Sequence, residues 1–234
     1  MKIALLSDAH GNPIALRACL DAIADLGAER LYFLGDAVGY LDDVAEVLDL
    51  LRDAGAICQK GNHEAMLLGE LPLDPVRDRI YRIAPARARL GSADRAWVAS
   101  WPEYRPLVLG GVRVLLAHAS PAPSLTQYVN GDEPIALPAD FEFQATFMGH
   151  THVPFVRDVD GVCVANVGSC GLPRDQGNLA AFAIFDTSTR SATVFRVEFD
   201  RDLVVAALGQ TCAPEVRDVL FRTRPAFGER IAPT

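Results

Sequence analysis

The chain carries five histidines, His10, His63, His118, His150 and His152, and each stands in a short polar stretch directly after an apolar run. Aspartates and an asparagine share those stretches: Asp8-Ala9-His10, Gly35-Asp36, Gly61-Asn62-His63-Glu64, Ala117-His118 and Gly149-His150-Thr151-His152. A single loop histidine is ordinarily a surface group, but five of five behind strand-like runs is a pattern, and none is expected on a helix face. Asp8-x-His10 and Gly35-Asp36 are weak signals alone, since both combinations are common in loops. An Asn-His pair straight after a buried strand has little structural purpose. Two imidazoles one residue apart, entered through a glycine, suit two neighbouring metal ions better than one core position. The set offers carboxylate, imidazole and amide donors and no thiolate, a mixture that favours ions such as Mn²⁺, Fe²⁺ or Zn²⁺ over a soft, thiolate-selected one. One carboxylate can bridge two such ions about 3.5–4 Å apart, the spacing used for in-line attack at phosphorus.

The elements that must position these residues follow from patterning. Ile3-Ala4-Leu5-Leu6-Ser7 is a continuous apolar run, the mark of a strand buried on both faces. Pro13 can open a helix, Leu16, Cys19, Leu20, Ile23 and Leu26 recur at helical spacing, and Gly27 ends it. Leu31–Leu34 is a second strand before Gly35-Asp36. Val44, Val47, Leu48 and Leu51 mark a second helix stopped by Gly55, and Ala56–Gln59 a third strand before Gly61-Asn62. Alternating strands and helices imply a mostly parallel sheet, whose ligand site lies beyond the carboxyl ends of its strands. Residues 65–106 read as mainly helical, with breaks at Pro72, Pro75 and Pro85, and the arginines from Arg77 to Arg95 as a solvated helix face. Short strands follow at 112–116, 143–148, 162–166, 181–185 and 192–197, the last two joined as a hairpin through Asp186-Thr187-Ser188. Residues 202–222 read as helical with a break near Pro214, and the tail from Arg224 as loose.

The bulk numbers narrow the function. A length of 234 residues suits one domain over 1–234, with 65–105 as a helical insert near the site and 200–234 as a C-terminal helical extension. A net charge of −8 makes a poor general binder of nucleic-acid backbone, so no stable nucleic-acid complex is expected. Bound divalent cations would reverse the local field at a site. The five cysteines are scattered, without CxxC spacing, and read as reduced thiols. Met1-Lys2-Ile3 leads straight into a strand without a cleavage site, and no stretch approaches the roughly 18 apolar residues of a membrane span. The expectation is a cytoplasmic protein without membrane contact, with a homo-oligomer left open.

Taken in order, Asp8-x-His10, Gly35-Asp36, Gly61-Asn62-His63-Glu64, His118 and Gly149-His150-x-His152 resemble the calcineurin-like metallophosphoesterase family over about residues 1–170. The opening Ser7-Asp8-x-His10-Gly11-Asn12 and the later Asn166-Val167-Gly168-Ser169 resemble its small bacterial phosphodiesterase branch. The resemblance implies an α/β, four-layer αββα sandwich: two packed mixed sheets flanked by helices. It also implies two divalent metal ions (Mn, Fe, Ni or Zn). Asp8, His10 and His152 would hold one, Asn62, His118 and His150 the other, and Asp36 would bridge them. His63 would not be a ligand but would stabilise the phosphoryl group and protonate the leaving oxygen, while a metal-bridging hydroxide attacks in line. The family's phosphoprotein phosphatases carry Gly-Asp-x-Val-Asp-Arg-Gly, whose Asp and Arg serve the catalytic histidine and the phosphate. Here the segment is Gly35-Asp36-Ala37-Val38-Gly39-Tyr40-Leu41, which counts against a dedicated protein phosphatase.

The implied function is hydrolysis of a phosphodiester or small phosphate ester. The alternatives are a dinucleoside polyphosphate hydrolase, for which Tyr40, Tyr128 or Phe155 could stack a purine, and a phosphomonoesterase. A non-catalytic scaffold of the same fold is disfavoured by the complete donor set, and a DNA nuclease by the acidic charge. Asn12 is either a phosphate contact or a helix cap. Arg174 either clamps a phosphate with its fork or is a surface arginine. Asn166–Ser169 either offers N–H groups to an oxyanion or ends a strand. The insert 65–105 and the loop 121–140 are expected to frame the pocket.

Overall fold

The computed structural model describes residues 1–208, 212–224 and 229–231. The chain opens as β1 (Lys2–Leu6), α1 (Pro13–Ala24), β2 (Arg30–Phe33), α2 (Val44–Asp53) and β3 (Ile57–Cys58). Four short helices follow, α3 (Asn62–Leu68), α4 (Pro75–Tyr81), α5 (Ile83–Arg89) and α6 (Ser92–Ala99). Then come β4 (Arg105–Leu109), β5 (Val112–Leu116), β6 (Ala145–Met148), β7 (Phe155–Val159), β8 (Val162–Asn166), β9 (Leu179–Asp186) and β10 (Ser191–Glu198). The chain closes with α7 (Arg201–Leu208), α8 (Pro214–Leu220) and β11 (Glu229–Ile231). Two mixed sheets form, in the orders β11-β10-β9-β1-β2-β3 and β4-β5-β6-β8-β7.

Strand β1 shows why its run is apolar throughout. Side chains alternate across a strand, so Ile3 and Leu5 point into the core shared with Val114, Leu116 and Phe147 of the second sheet. Ala4 and Leu6 point the other way, into the core closed by Leu16 and Cys19 of α1 and Val47 and Leu48 of α2. Both faces are buried, and each fully buried leucine contributes about 1.5–3 kcal/mol. The architecture is the expected α/β arrangement of two packed mixed sheets flanked by helices. The far face of the second sheet carries a smaller cluster, Met148, Phe155 and Val164, packed against Val129, Ile135 and Leu137 of the long β5–β6 connection.

Several expectations are corrected. Strand β4 begins inside the segment read as helical, and β7 was not anticipated. Both are edges of the second sheet, where half-exposed patterns and Pro106 blur the strand signal. Strand β6 begins at Ala145 rather than Phe143. The tail from Arg224 is not all loose, because Glu229–Ile231 pairs parallel with β10. The rest of that tail, 225–228 and 232–234, lies outside the described residues. The 77–95 arginines are not a plain solvated face: Arg82 and Arg89 both pair with Asp42, and Arg87 donates to the Leu67 and Met66 carbonyls at 2.7 and 2.6 Å. All five cysteines are free, and no helix among the described residues is long and apolar enough to cross a membrane.

One buried ion pair locks the C-terminal half. The Arg196 guanidinium, 1% exposed, donates to both oxygens of Asp175 and to the Leu179 carbonyl at 2.6 Å. Replacing one member of such a pair leaves an uncompensated buried charge, at about 3–5 kcal/mol. Asp175→Leu should therefore lower the urea midpoint sharply, and adding Arg196→Met should restore much of it. A double variant no more stable than the single one would contradict this reading.

Candidate metal centre

All the chemistry-bearing stretches meet at the carboxyl ends of β1, β2, β3, β5 and β6. The loops are tied to one another through the backbone: Asp8 N–H donates to the Gly35 carbonyl (2.9 Å), His10 N–H to Asp36 (3.0 Å) and Gly149 N–H to His118 (2.8 Å). Five of the expected site residues adopt left-handed backbone: Asp8 (φ 59°), His10 (49°), Asp36 (60°), His150 (66°) and His152 (61°). For non-glycine residues this costs about 1 kcal/mol or more each and persists only where the surroundings impose it. Here it turns successive side chains inward. The glycines beside them allow the close approach. A Cβ on Gly61 would collide with the Asp36 carboxylate and the His118 ring, and one on Gly149 with Ser7 and Asp8.

The two carboxylates are arranged alike. Asp8 Oδ2 accepts the His150 N–H at 2.9 Å, and its Oδ1, buried without a hydrogen-bond partner, faces His152 Nε2 (3.2 Å) and His10 Nε2 (3.6 Å). Asp36 Oδ1 accepts the His63 N–H at 2.9 Å, and its Oδ2 faces the Nε2 atoms of His118 (3.4 Å), His10 (3.7 Å) and His63 (3.9 Å). Each carboxylate thus has one oxygen fixed by backbone and one presented to the centre. Burial acts to raise both carboxyls, but the surrounding imidazoles outweigh it and hold them well below the usual carboxylate range.

The imidazole tautomers are set from outside. The Nδ1 atoms of His10, His118 and His152 lie 3.1, 2.9 and 2.7 Å from the carbonyls of Val38, Leu34 and Leu172. A carbonyl only accepts, so each Nδ1 carries a proton and each Nε2 is the atom turned to the centre, where it can serve as the donor to a cation. Burial pushes His63 down to about 3, His150 to about 4 and His152 to about 3. Burial opposes charge on His118 too, but Asp36 and Asp8 override it and raise that ring to about 9. Nε2 of His10 and Nε2 of His152 stand only 3.0 Å apart. Two bare lone pairs at that distance repel unless both are directed at one cation. Together with the partnerless Asp8 Oδ1 and His150 Nε2, this contact fits divalent metal.

The donors fall into overlapping groups within 4.8 Å: Asp8, His10 and His152; Asp36, His118 and His150; and His10, Asp36 and His63. Asn62 joins the second through its Oδ1, 3.0 Å from His118 Nε2. All seven expected ligand side chains and His63 are therefore brought together. His63 and Asn62 do not stand in a loop, however. They occupy the first turn of α3, behind Gly61 at its N-cap.

Among the softer candidates, Asn12 caps a helix. Its Oδ1 accepts the Ala15 N–H at 3.1 Å and its Nδ2 donates to the Gly171 carbonyl at 2.7 Å, so the carboxamide ties α1 to the neighbouring loop. Asn166 and Ser169 are structural too. Asn166 Nδ2 donates to the Gly149 carbonyl (2.5 Å) and Ser169 Oγ to that of Asp8 (2.7 Å), pinning two of the loops that carry the donor side chains. Within that turn the N–H groups of Val167 and Gly168 are spent on Met148 and Asn166, which leaves these two no role at an oxyanion. Phe155 is buried in the outer cluster of the second sheet, away from the centre. Arg174 is no surface group: it is half-buried and donates to Tyr40 and Tyr128.

Glu64 and Tyr81 carry weight without an expected role, and Tyr40, expected only as a purine-stacking candidate, packs on His63. Glu64 accepts the N–H groups of Asp36 (2.7 Å), Ala37 (2.8 Å), Val38 (3.2 Å) and Gly61 (2.8 Å), fixing the Asp36 loop. Burial and the Asp36 charge push its carboxyl up to about 7, while the donated N–H groups pull it down. Tyr40 stacks on His63 at 5.1 Å between centroids, and Tyr81 of α4 packs against the same ring at 5.0 Å. His63 Nδ1 is buried without a partner, and Gly39 leaves room for it. A cleft of about 410 Å³ opens beside Asn62 and His150, walled by Met66, Leu71, Pro72, Tyr81 and Tyr128. The helical insert and the β5–β6 loop thus both reach the site.

Comparison with known proteins agrees with this geometry. Residues 1–190 match the calcineurin-like phosphoesterase superfamily domain. An uncharacterized protein of Methanocaldococcus jannaschii is 31% identical over 218 residues, covering 85% of this chain and 88% of that one. The crystal structure of a metallophosphoesterase from Sphaerobacter thermophilus is 27% identical, with a TM-score of 0.77 over 94% of this chain and 98% of that one. A hypothetical protein from Pyrococcus horikoshii shares the fold, with a TM-score of 0.82 at 20% identity over 96% and 99% of the two chains. The chain belongs to the calcineurin-like phosphoesterase superfamily and is a metal-dependent phosphoesterase.

Proposed function

We propose that the protein hydrolyses a phosphodiester at a centre of two divalent metal ions sharing Asp36. The observation that carries this reading is the position of Asp36 Oδ2, which faces His10 of one donor group and His118 of the other. Asp8, His10 and His152 would hold one ion and Asn62, His118 and His150 the second. Their carboxylate, imidazole and amide atoms suit Mn, Fe, Ni or Zn. When bound, such ions polarise phosphoryl oxygens and lower the pKa of water.

The remaining work falls to the chain's own groups. His63 stands between Tyr40 and Tyr81 with its Nε2 turned to Asp36; burial favours the neutral ring, and the negative charge of a phosphoryl group beside it, with that of Asp36, would favour the protonated form that donates to the departing oxygen. It also lies within reach of a metal held by His10 and Asp36, and the two roles differ in what its removal does. His63→Ala should lower turnover by about 10²- to 10⁴-fold, the usual worth of a positioned acid, with bound metal unchanged. Loss of metal along with activity would make His63 a ligand instead.

Gly39 and Tyr40 at the positions where phosphoprotein phosphatases carry Asp and Arg support a diester over a phosphoprotein. The cleft beside Asn62 and His150 offers the leaving group an apolar stretch at Met66, Leu71 and Pro72 beside charged groups at Asp74 and Arg77. A second reading, a dinucleoside polyphosphate, is favoured by Tyr128, which lines that cleft and packs on His150 at 4.5 Å. The test is hydrolysis by metal-stripped protein reloaded with Mn²⁺, Ni²⁺ or Zn²⁺, with bis-p-nitrophenyl phosphate and p-nitrophenyl phosphate side by side. Metal-dependent preference for the diester supports the proposal. Preference for the monoester makes the protein a phosphomonoesterase, and inactivity on both with metal bound favours the nucleotide or a scaffold.

A further inference from the structure

Among the described residues Arg174 is a cation without a direct ion pair, at the edge of a site built for cations; the Asp8 charge acts on it only from within that site. Its backbone N–H donates to the His152 carbonyl at 3.2 Å. Its guanidinium reaches Tyr40 Oη at 3.1 Å through one nitrogen and Tyr128 Oη at 3.4 Å through another. Tyr40 packs on His10 and His63, and Tyr128 on His150. The side chain therefore spans the two flanks of the donor cluster.

Arg82 pairs with Asp42, Arg52 with Asp49 and Asp94, and Arg196 with Asp175, while Arg95 and Arg105 donate to backbone carbonyls. Arg174 alone of these lies against the donor cluster and bonds two residues packed on its histidines. Among the described residues Arg174 forms no ion pair; its side-chain partners are two tyrosine hydroxyls. Burial pushes the Tyr40 hydroxyl above its ordinary value, so it stays neutral. A half-buried charge whose side-chain bonds go only to hydroxyls is costly. Metal ions at the centre would add like charge beside it. An anion between guanidinium and centre removes both penalties.

We propose that Arg174, held between Tyr40 and Tyr128, binds non-bridging oxygens of the phosphoryl group seated at the centre. The inference rests on the proposed function and adds the residue that reads the substrate's charge. A guanidinium has five N–H donors in a planar fork, and the two tyrosine bonds leave donors free for a bidentate contact that an ammonium cannot reproduce. The bond to Tyr128, longer and to a residue 55% exposed, is the one a phosphoryl oxygen replaces.

The test is calorimetric titration of inorganic phosphate into metal-loaded protein, with bound metal counted separately and unfolding midpoints recorded. Arg174→Gln should weaken phosphate about 10- to 100-fold, the worth of a charge-assisted bond, and raise KM for bis-p-nitrophenyl phosphate while metal content stays the same. Arg174→Lys should recover only part of the affinity, because the charge remains and the fork is lost. Phosphate affinity within about twofold of the unmodified protein in Arg174→Gln, with metal bound, overturns the clamp alone. If Arg174→Gln does not fold, undiminished affinity in Arg174→Lys overturns it. A protein that takes up no divalent metal overturns the proposed function and the clamp with it.

Discussion

Replacing Asp36 with asparagine is expected to reduce metal-dependent ester hydrolysis by about 10³-fold or more, because the ligand proposed to be shared would support both halves of the centre. The carboxylate has two tasks. Oδ1 accepts the His63 N–H at 2.9 Å, and Oδ2 faces His118 at 3.4 Å and His10 at 3.7 Å. An amide of the same shape can do one of these but not both. If its oxygen keeps the His63 bond, an NH₂ group points at the metal positions and the negative charge is gone. If it flips, the His63 amide loses its acceptor and the start of α3 is freed. The measurement is hydrolysis of bis-p-nitrophenyl phosphate after reloading with Mn²⁺, with metal content determined on the same sample. Activity within tenfold of the unmodified protein would refute the bridging assignment.

The second large effect is on stability. Glu64→Gln is expected to cost about 3–5 kcal/mol, because two of four buried N–H groups would face an amide NH₂ in place of an acceptor. Each Glu64 oxygen accepts from two backbone groups: Oε1 from Ala37 and Val38, Oε2 from Asp36 and Gly61. Whichever way the amide turns, one pair is orphaned. For a chain of this size the unfolding midpoint should fall by roughly 10 °C. Because the same bonds hold Asp36 in its left-handed conformation (φ 60°), metal affinity should fall as well. A midpoint within about 2 °C of the unmodified protein, read by thermal melting of the metal-stripped form, would show that Glu64 is no anchor.

The donor residues were legible in the sequence because the strands that carry them, β1, β2, β5 and β6, are buried stretches with few polar interruptions. Each ends abruptly in its polar cluster, and strand ends are where an α/β sheet gathers a site. His63 was misplaced into a loop for a local reason. Helix α3 starts behind Gly61, without the Ser, Thr, Asp or Asn that ordinarily announces an N-cap, and Glu64 at its third position serves the Asp36 loop as well as its own helix. Strands β4 and β7 escaped because they are sheet edges with one face in water. Phe155 looked like a stacking residue but fills the outer cluster of the second sheet, a placement that depends on which face of β7 it occupies. Tyr81 and Arg174 reach the centre from α4 and from the turn after β8. No spacing rule links them to Asp36, since only the packing of the helical insert and of that turn brings them there.

The most direct test of the account is electron paramagnetic resonance of the metal-stripped protein reloaded with Mn²⁺, combined with a metal count. The prediction is two ions per chain and a spin-coupled dinuclear spectrum, as expected for ions about 3.5–4 Å apart on a shared carboxylate, with the coupling lost in Asp36→Asn. A single bound ion, or two giving only isolated-ion spectra, would contradict the shared centre on which the proposed function rests.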